Sequence, residues 1–428
     1  ENAKAVTVNA AKALDVEIND NVSKFTGAIT VNAAAAKEVQ VQSASGGVTI
    51  NAEKGADSAG AGIVVAGIDD SGANITVGTF GSMNASTGVI SNAGKISVDG
   101  SGSADSATIK AAGYINLTSN ASDQVETLNL SGNGASVRYD ITGAATTYNL
   151  TGDQDVTLAG NASSFNVKTV TDSTTGKNTT LLLTTLATAD LSKVAVDTIK
   201  VASNVASQTL TLADNANVLL ASDITTAIAV AGKNADYKVN LSTGDDTNAS
   251  GAIIDITTGT LTASSNLKTV NIDATTGKLT MSTATTLDTT ATLNVSGTKD
   301  VALATVTAKE VNAASSTGKI TMTTGNAALT KITTGSGNDD VTVNQNVKYT
   351  VDLGEGTNKL TITSAVATDG GSFTTGSGDD TIELQNTAAN VIVTGGGNDT
   401  VNVASNTAID SVIVMGDGTS DKLAFTST

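Results

Sequence analysis

A glycine and oxygen motif recurs near the C-terminus. It reads Gly335-Ser336-Gly337-Asn338-Asp339-Asp340-Val341, Gly354-Glu355-Gly356-Thr357-Asn358-Lys359-Leu360, Gly376-Ser377-Gly378-Asp379-Asp380-Thr381-Ile382 and Gly395-Gly396-Gly397-Asn398-Asp399-Thr400-Val401. A degraded copy follows at Gly416-Asp417-Gly418-Thr419-Ser420-Asp421. Glycine permits φ > 0 and lets backbone carbonyls turn towards one point. The Asp or Asn behind it adds a carboxylate or amide oxygen, and the apolar residue after that starts a strand. Oxygen-only, flexible coordination suits Ca²⁺ better than any transition metal.

A single Gly-x-Gly-x-x-Asp reads as a plain turn with a solvated acid. Four good copies at first-glycine intervals of 19, 22 and 19 residues, with the degraded copy 21 further on, read instead as stacked calcium loops. The foremost ligands are Asp339, Asp380 and Asp399, with carbonyls around Gly335, Gly337, Gly376, Gly378, Gly395 and Gly397. Asp340, Asp379 and Asn398 stand beside them. In the Gly354 and Gly356 loop Asn358 replaces the acid, so a weaker site is expected there. Asp417 and Asp421 belong to a loop with an extra residue, expected to cap the array. Earlier acidic turns at Gly244-Asp245-Asp246, at Gly152-Asp153-Gln154-Asp155, and at Gly100-Ser101-Gly102 with Asp105 have no neighbour in register. They are expected to be solvated turns.

Loops at one interval need elements that repeat at that interval. Short alternating runs fill the chain: Val6-Thr7-Val8, Val39-Gln40-Val41, Ile96-Ser97-Val98, Leu128-Asn129-Leu130, Leu293-Asn294-Val295, Val341-Thr342-Val343 and Val401-Asn402-Val403. Apolar residues flanking a polar one give the strand period. Gly, Asn, Asp and Ser clusters bound the runs. Lys268–Met281 aligns with Lys309–Met322 at an offset of 41, with eight of fourteen positions identical. One coil of roughly 20 residues accounts for both periods. The expected fold is all-β, a parallel β-solenoid, degenerate over 1–240 and more regular over 241–428, with the calcium loops on one edge at 334–428. At most a turn or two of helix is expected. Segments 194–196 and 199–201 read as strands. Asn129, Asn271, Asn294 and Asn312 recur beside strand apolars, and any that face inward are expected to form ladders between coils.

Composition narrows the function. The 428 residues contain no Cys, His, Pro or Trp, and Arg138 is the sole arginine. Thiolate and imidazole chemistry are therefore impossible. Aromatics make up 2 % of the chain, too few for a sugar cleft or a deep globular core, though small aliphatics can fill a thin solenoid. Proline would interrupt the turn-to-turn ladder. The 41 acidic against 23 basic residues, a net charge of −18, argue against nucleic-acid binding and suit a calcium-loaded extracellular protein. No apolar stretch approaches 18 residues, so no membrane-spanning helix is expected. The chain opens on Glu1 with no signal peptide, as expected of a processed chain or a piece of a longer one.

The loops resemble the RTX nonapeptide repeat Gly-Gly-x-Gly-x-Asp-x-apolar-x. Thr394–Asn402 and Thr334–Thr342 match at all but the first position. One loop per coil replaces the usual two, so ions should line one edge only. The Ala/Thr/Ser-rich, Cys-free remainder is similar to RTX surface-layer proteins of Gram-negative bacteria, with phrases such as Val125-Glu-Thr-Leu-Asn-Leu-Ser-Gly132 and Leu267-Lys-Thr-Val-Asn-Ile272. The resemblance implies a secreted, calcium-ordered homo-oligomer forming a two-dimensional lattice (S-layer) on the cell surface. It also implies type I secretion and attachment to lipopolysaccharide through an N-terminal anchor that is not recognisable here. An RTX adhesin or ligand-binding stalk is the alternative. An ice-binding Thr face such as Thr361-Ile362-Thr363 and a polysaccharide-active enzyme using acid pairs such as Asp339-Asp340 are weaker alternatives. No catalytic function is expected.

Overall fold

The computed structural model describes residues 5–19, 27–42, 46–54, 62–68, 72–84, 89–101, 105–119, 125–143, 145–202, 208–244, 256–363, 370–385, 388–404 and 410–426. The chain is a parallel β-solenoid of about 16 turns with about 22 residues per turn. The excess over the expected 20 residues lies in long connections. Laddered partners are 19 residues apart at Asn32 and Asn51 but 31 apart at Asn240 and Asn271. A single 3-10 turn, Ala162–Phe165, is the only helix among the described residues. Each alternating run quoted above lies in a strand. Thr198–Val201 is also a strand, but Val194 makes only an isolated bridge to Val170. Among the described residues no helix is long and apolar enough to cross a membrane.

Contacts divide the chain into two units: Glu1–Ala202 with Thr247–Ala252, and Ser203–Asp246 with Ile253–Thr428. In the first unit each turn crosses two parallel faces, as two strands or, at Ser106–Ser119 and Thr127–Thr142, as one long strand that runs through both. Ile29, Val48, Ala73, Ala107, Leu128 and Tyr148 stack in register along one face. The interior takes few large groups: Tyr139, Tyr148 and Phe165 are buried, and the Tyr148 and Phe165 rings meet at 5.8 Å. The Tyr139 hydroxyl is buried with its ring and donates to backbone carbonyls, Ser131 O at 2.8 Å among them.

The second unit repeats the plan with two strands per turn. Val270, Leu293, Val311, Ile332, Val351 and Phe373 stack on one face. Val341, Leu360, Ile382 and Val401 stack on the other. Small β-branched residues suit this interior because each column buries the same side-chain depth on every turn. Asn271 pairs with Asn294, and Asn294 with Asn312, so the 41-residue repeat is two turns.

The asparagine ladders exist, but they run along the outer surface. Val270 and Ile272 point inward, so Asn271 between them must point outward, and it is half-buried. Asn271 Nδ2 donates to Asn240 Oδ1 (2.7 Å), and Asn294 Nδ2 donates to Asn271 Oδ1 (2.8 Å). The first unit has the same device from Asn9 through Asn32 to Asn51. Identical amides stacked one strand apart satisfy each other without entering the core. Replacing Asn271 by Ala removes both bonds, and water reaches the partners. The expected loss is about 1–2 kcal/mol, read as a lower thermal midpoint of the second unit.

Candidate metal centre

In the second unit the glycine motif is the corner between the two faces. One corner joins Lys331–Thr333 to Asp340–Val343, the next joins Thr350–Asp352 to Lys359–Ile362, and the next joins Ser372–Thr374 to Thr381–Leu384. The last two join Val391–Val393 to Thr400–Ala404 and Val412–Val414 to Lys422–Thr426. The first four corners have one length; the opposite, return connections absorb the 19 to 22 variation. All the motif loops therefore stack on one edge.

Two columns of glycine hold the corners together. A Cβ on Gly354, Gly376, Gly395 or Gly416 would collide with the carbonyl of the glycine one turn earlier. The column through Gly337, Gly356, Gly378, Gly397 and Gly418 meets the same limit. Backbone bonds continue the ladder through the corner, as from Glu355 N–H to Gly335 O (2.9 Å) and from Gly378 N–H to Gly396 O (2.7 Å). Side chains would force the turns apart.

Behind the glycines runs a row of buried Asp and Asn side chains, each serving the turn before it. Asp339 Oδ1 accepts from Ile320 N–H (2.7 Å), and Asn358 Oδ1 accepts from Asp339 N–H (3.0 Å). Asp380 Oδ1 accepts from Asn358 N–H (2.7 Å), Asp399 Oδ1 from Asp380 N–H (2.9 Å), and Asp421 Oδ1 from Asp399 N–H (3.0 Å). Asp339, Asp380 and Asp399 are no more than 1 % exposed, and Asn358 is 2 % exposed.

One oxygen of each aspartate is thus used, while the second is orphaned. Oδ2 of Asp339, Asp380 and Asp399 is buried with no hydrogen-bond partner. A buried carboxylate oxygen without a donor is costly. It must hold a proton or a cation. Burial pushes the carboxyls of Asp339 and Asp380 up to about 6, opposed first by the neighbouring hydroxyls of Thr334 and Thr375, whose own protons go to backbone carbonyls, and then by the N–H of Ile320 and Asn358 respectively. The neighbouring Asp399 charge raises Asp380 further. Above that range a cation would serve in place of the proton. The donors are carboxylate oxygens and glycine-loop carbonyls, a hard-oxygen set that fits Ca²⁺. No group of three or more acidic side chains gathers among the described residues, so a cation would rest on one aspartate per turn and on backbone oxygens.

The other expected ligands lie elsewhere on the corner. Asp340 opens its strand facing outward, 3.9 Å from Lys319 Nζ and in register with Lys359. Asp379 and Asn398 form an outer, exposed row in which Asn398 N–H donates to Asp379 Oδ1 (2.7 Å). Asp417 is exposed. Asp421, half-buried, extends the row despite the extra residue in its loop. Three further residues take part whose role the sequence does not assign: Thr334, Thr375 and Thr394, buried immediately before the first glycine. Thr334 Oγ1 donates to Leu353 O and Thr375 Oγ1 to Thr394 O, both at 2.7 Å, tying each corner to the next turn. Their recurrence ahead of Gly-x-Gly was the available signal.

Of the earlier acidic turns, Asp245, Asp246 and Gly102 lie outside the described residues. Asp153 is exposed as expected. Asp105 is not a solvated turn residue. It is fully buried and its Oδ2 accepts from Ser101 N–H (2.7 Å), which closes the turn internally. No protein-family model, curated protein or solved structure matches this chain.

Proposed function

We propose that this chain is a structural subunit of an extracellular surface layer, ordered by Ca²⁺ bound along the glycine-loop edge of its solenoid. The observation that carries the calcium part is the row of buried aspartates with orphaned oxygens at Asp339, Asp380 and Asp399. The assembly part rests on the resemblance to RTX surface-layer proteins, as do the cell-surface location and the attachment to lipopolysaccharide. A catalytic role is not proposed, since the chain has neither His nor Cys and only one Arg. Extracellular calcium is plentiful, so folding of this edge and assembly would wait until the chain has left the cell.

The test is sedimentation and electron microscopy of the full chain at high concentration, with millimolar calcium and with chelator. Ordered sheets or filaments that form with calcium and disperse in chelator are expected. A strictly monomeric protein in calcium would overturn the assembly reading.

A further inference from the structure

The row of buried Asp and Asn side chains is interrupted once. Asn358 holds the place of the aspartates: its Oδ1 accepts Asp339 N–H, as each aspartate accepts the N–H of the turn before. The other arm of this side chain is a donor. Nδ2 points at three carbonyls of its own loop, Gly356 O at 3.0 Å, and Gly354 O and Glu355 O at 3.4 Å. Amide orientation follows from this chemistry, because the flipped amide would aim an oxygen at three oxygens and a donor at a donor. The sequence makes a second change in the same loop. The residue before the first glycine is Leu353, where the aspartate loops have Thr334, Thr375 and Thr394.

We propose that the Asn358 amide is a built-in substitute for the cation, so that the Gly354 loop closes without metal. This rests on the calcium reading of the other loops. The NH₂ group carries a partial positive charge to the point where the loop carbonyls converge. Asp339, Asp380 and Asp399 share its backbone partner pattern, so their Oδ2 atoms fall where Nδ2 stands in Asn358. Those oxygens have no donor. The edge therefore alternates in kind: a cation-requiring turn at Asp339, a self-closed turn at Asn358, then cation-requiring turns at Asp380 and Asp399. The expected weaker fourth site at Asn358 becomes no site at all. The self-closed turn would give the calcium-free chain a folded step within the array.

The test is calcium titration calorimetry of the full chain beside thermal melts in chelator, for wild type, N358D and D380N. N358D is expected to bind one more equivalent of calcium than wild type and to melt at a lower temperature in chelator. D380N is expected to bind one fewer and to melt higher in chelator, because its amide now does the cation's work. Unchanged stoichiometry in N358D, with wild type binding calcium, overturns the proposal and leaves the calcium reading intact. Wild type binding no calcium overturns both. Should N358D fail to fold, D380N decides: a chelator melt at or below that of wild type rejects the substitution idea.

Discussion

Chelation at pH 7.5 is expected to unprotect the corner amides of Asn358, Asp380 and Asp399 by about 100-fold or more in hydrogen exchange, while Asp339 N–H, held by the self-closed Asn358 side chain, and amides in the first unit, such as Leu128–Leu130, keep their rates. These four N–H groups donate within the buried row or are borne by it, so they report its integrity directly. Without a cation, each orphaned Oδ2 is a buried charge with no donor. The pH dependence has a definite sign. The carboxyls of Asp339 and Asp380 titrate at about 6 in the folded chain against 3.8 when exposed. Between those values the folded state holds more protons than the unfolded one, so stability falls as pH rises through that window. The calcium-free edge should therefore be firmer at pH 5 than at pH 7.5, the reverse of ordinary acid unfolding. Between pH 5 and pH 7.5 the raised value is worth at most about 1.4 kcal/mol, and after screening about 1 kcal/mol, for each of the two carboxyls. Set against a typical domain stability of about 5–15 kcal/mol, that is enough to open a locally weak edge. Equal protection of the Asn358, Asp380 and Asp399 amides with and without chelator at pH 7.5 would mean that the aspartate row does not need a cation.

Much of this arrangement can be read from residue order. The Val-x-Val and Leu-x-Leu runs fix both faces, because alternation in a parallel coil leaves one inward choice. The 41-residue repeat gives the turn, since Asn271 and Asn312 lie in register two strands apart. Asp339, Asp380 and Asp399 stand out by register alone. What stayed hidden depends on the neighbouring turn. Asparagine beside strand apolars suggests inward ladders, yet an amide needs another amide one strand away, and the outer face supplies that without disturbing the core. Asp340 reads as a ligand beside Asp339 in sequence, but the strand period turns consecutive residues to opposite sides. Asn358 reads as a weakened acid, and only its three carbonyl neighbours show it acting as a donor. Asp105 reads as solvated because nothing in its sequence shows that its carboxylate caps its own turn.

The glycines divide in the same way, and the run Gly395-Gly396-Gly397 tests the reason with three neighbouring substitutions. Sequence treats them alike. Gly395 has φ +91° and Gly397 φ +125°, both left-handed. A Cβ on Gly395 would collide with Gly376 O, and one on Gly397 with Gly378 O. Those obstacles are backbone atoms of the previous turn, held at ladder spacing by bonds such as Gly396 N–H to Gly376 O (3.0 Å). They cannot retreat without breaking the stack. Gly396 has ordinary φ, and its Cβ would meet nothing within 4 Å. Gly395→Ala and Gly397→Ala are each expected to cost about 3 kcal/mol or more, strain and collision adding together. Gly396→Ala is expected to be neutral or to stabilise by about 0.5 kcal/mol, since it only restricts the unfolded chain. Thermal melts in calcium read all three. If the Gly396 variant fell as far as its neighbours, the motif would be selected for loop flexibility. If all three were harmless, the turns would not be packed carbonyl against Cα at this corner. A graded result, with only the middle position tolerant, ties the motif to turn stacking and so to the row of aspartates that the stacked corners bury.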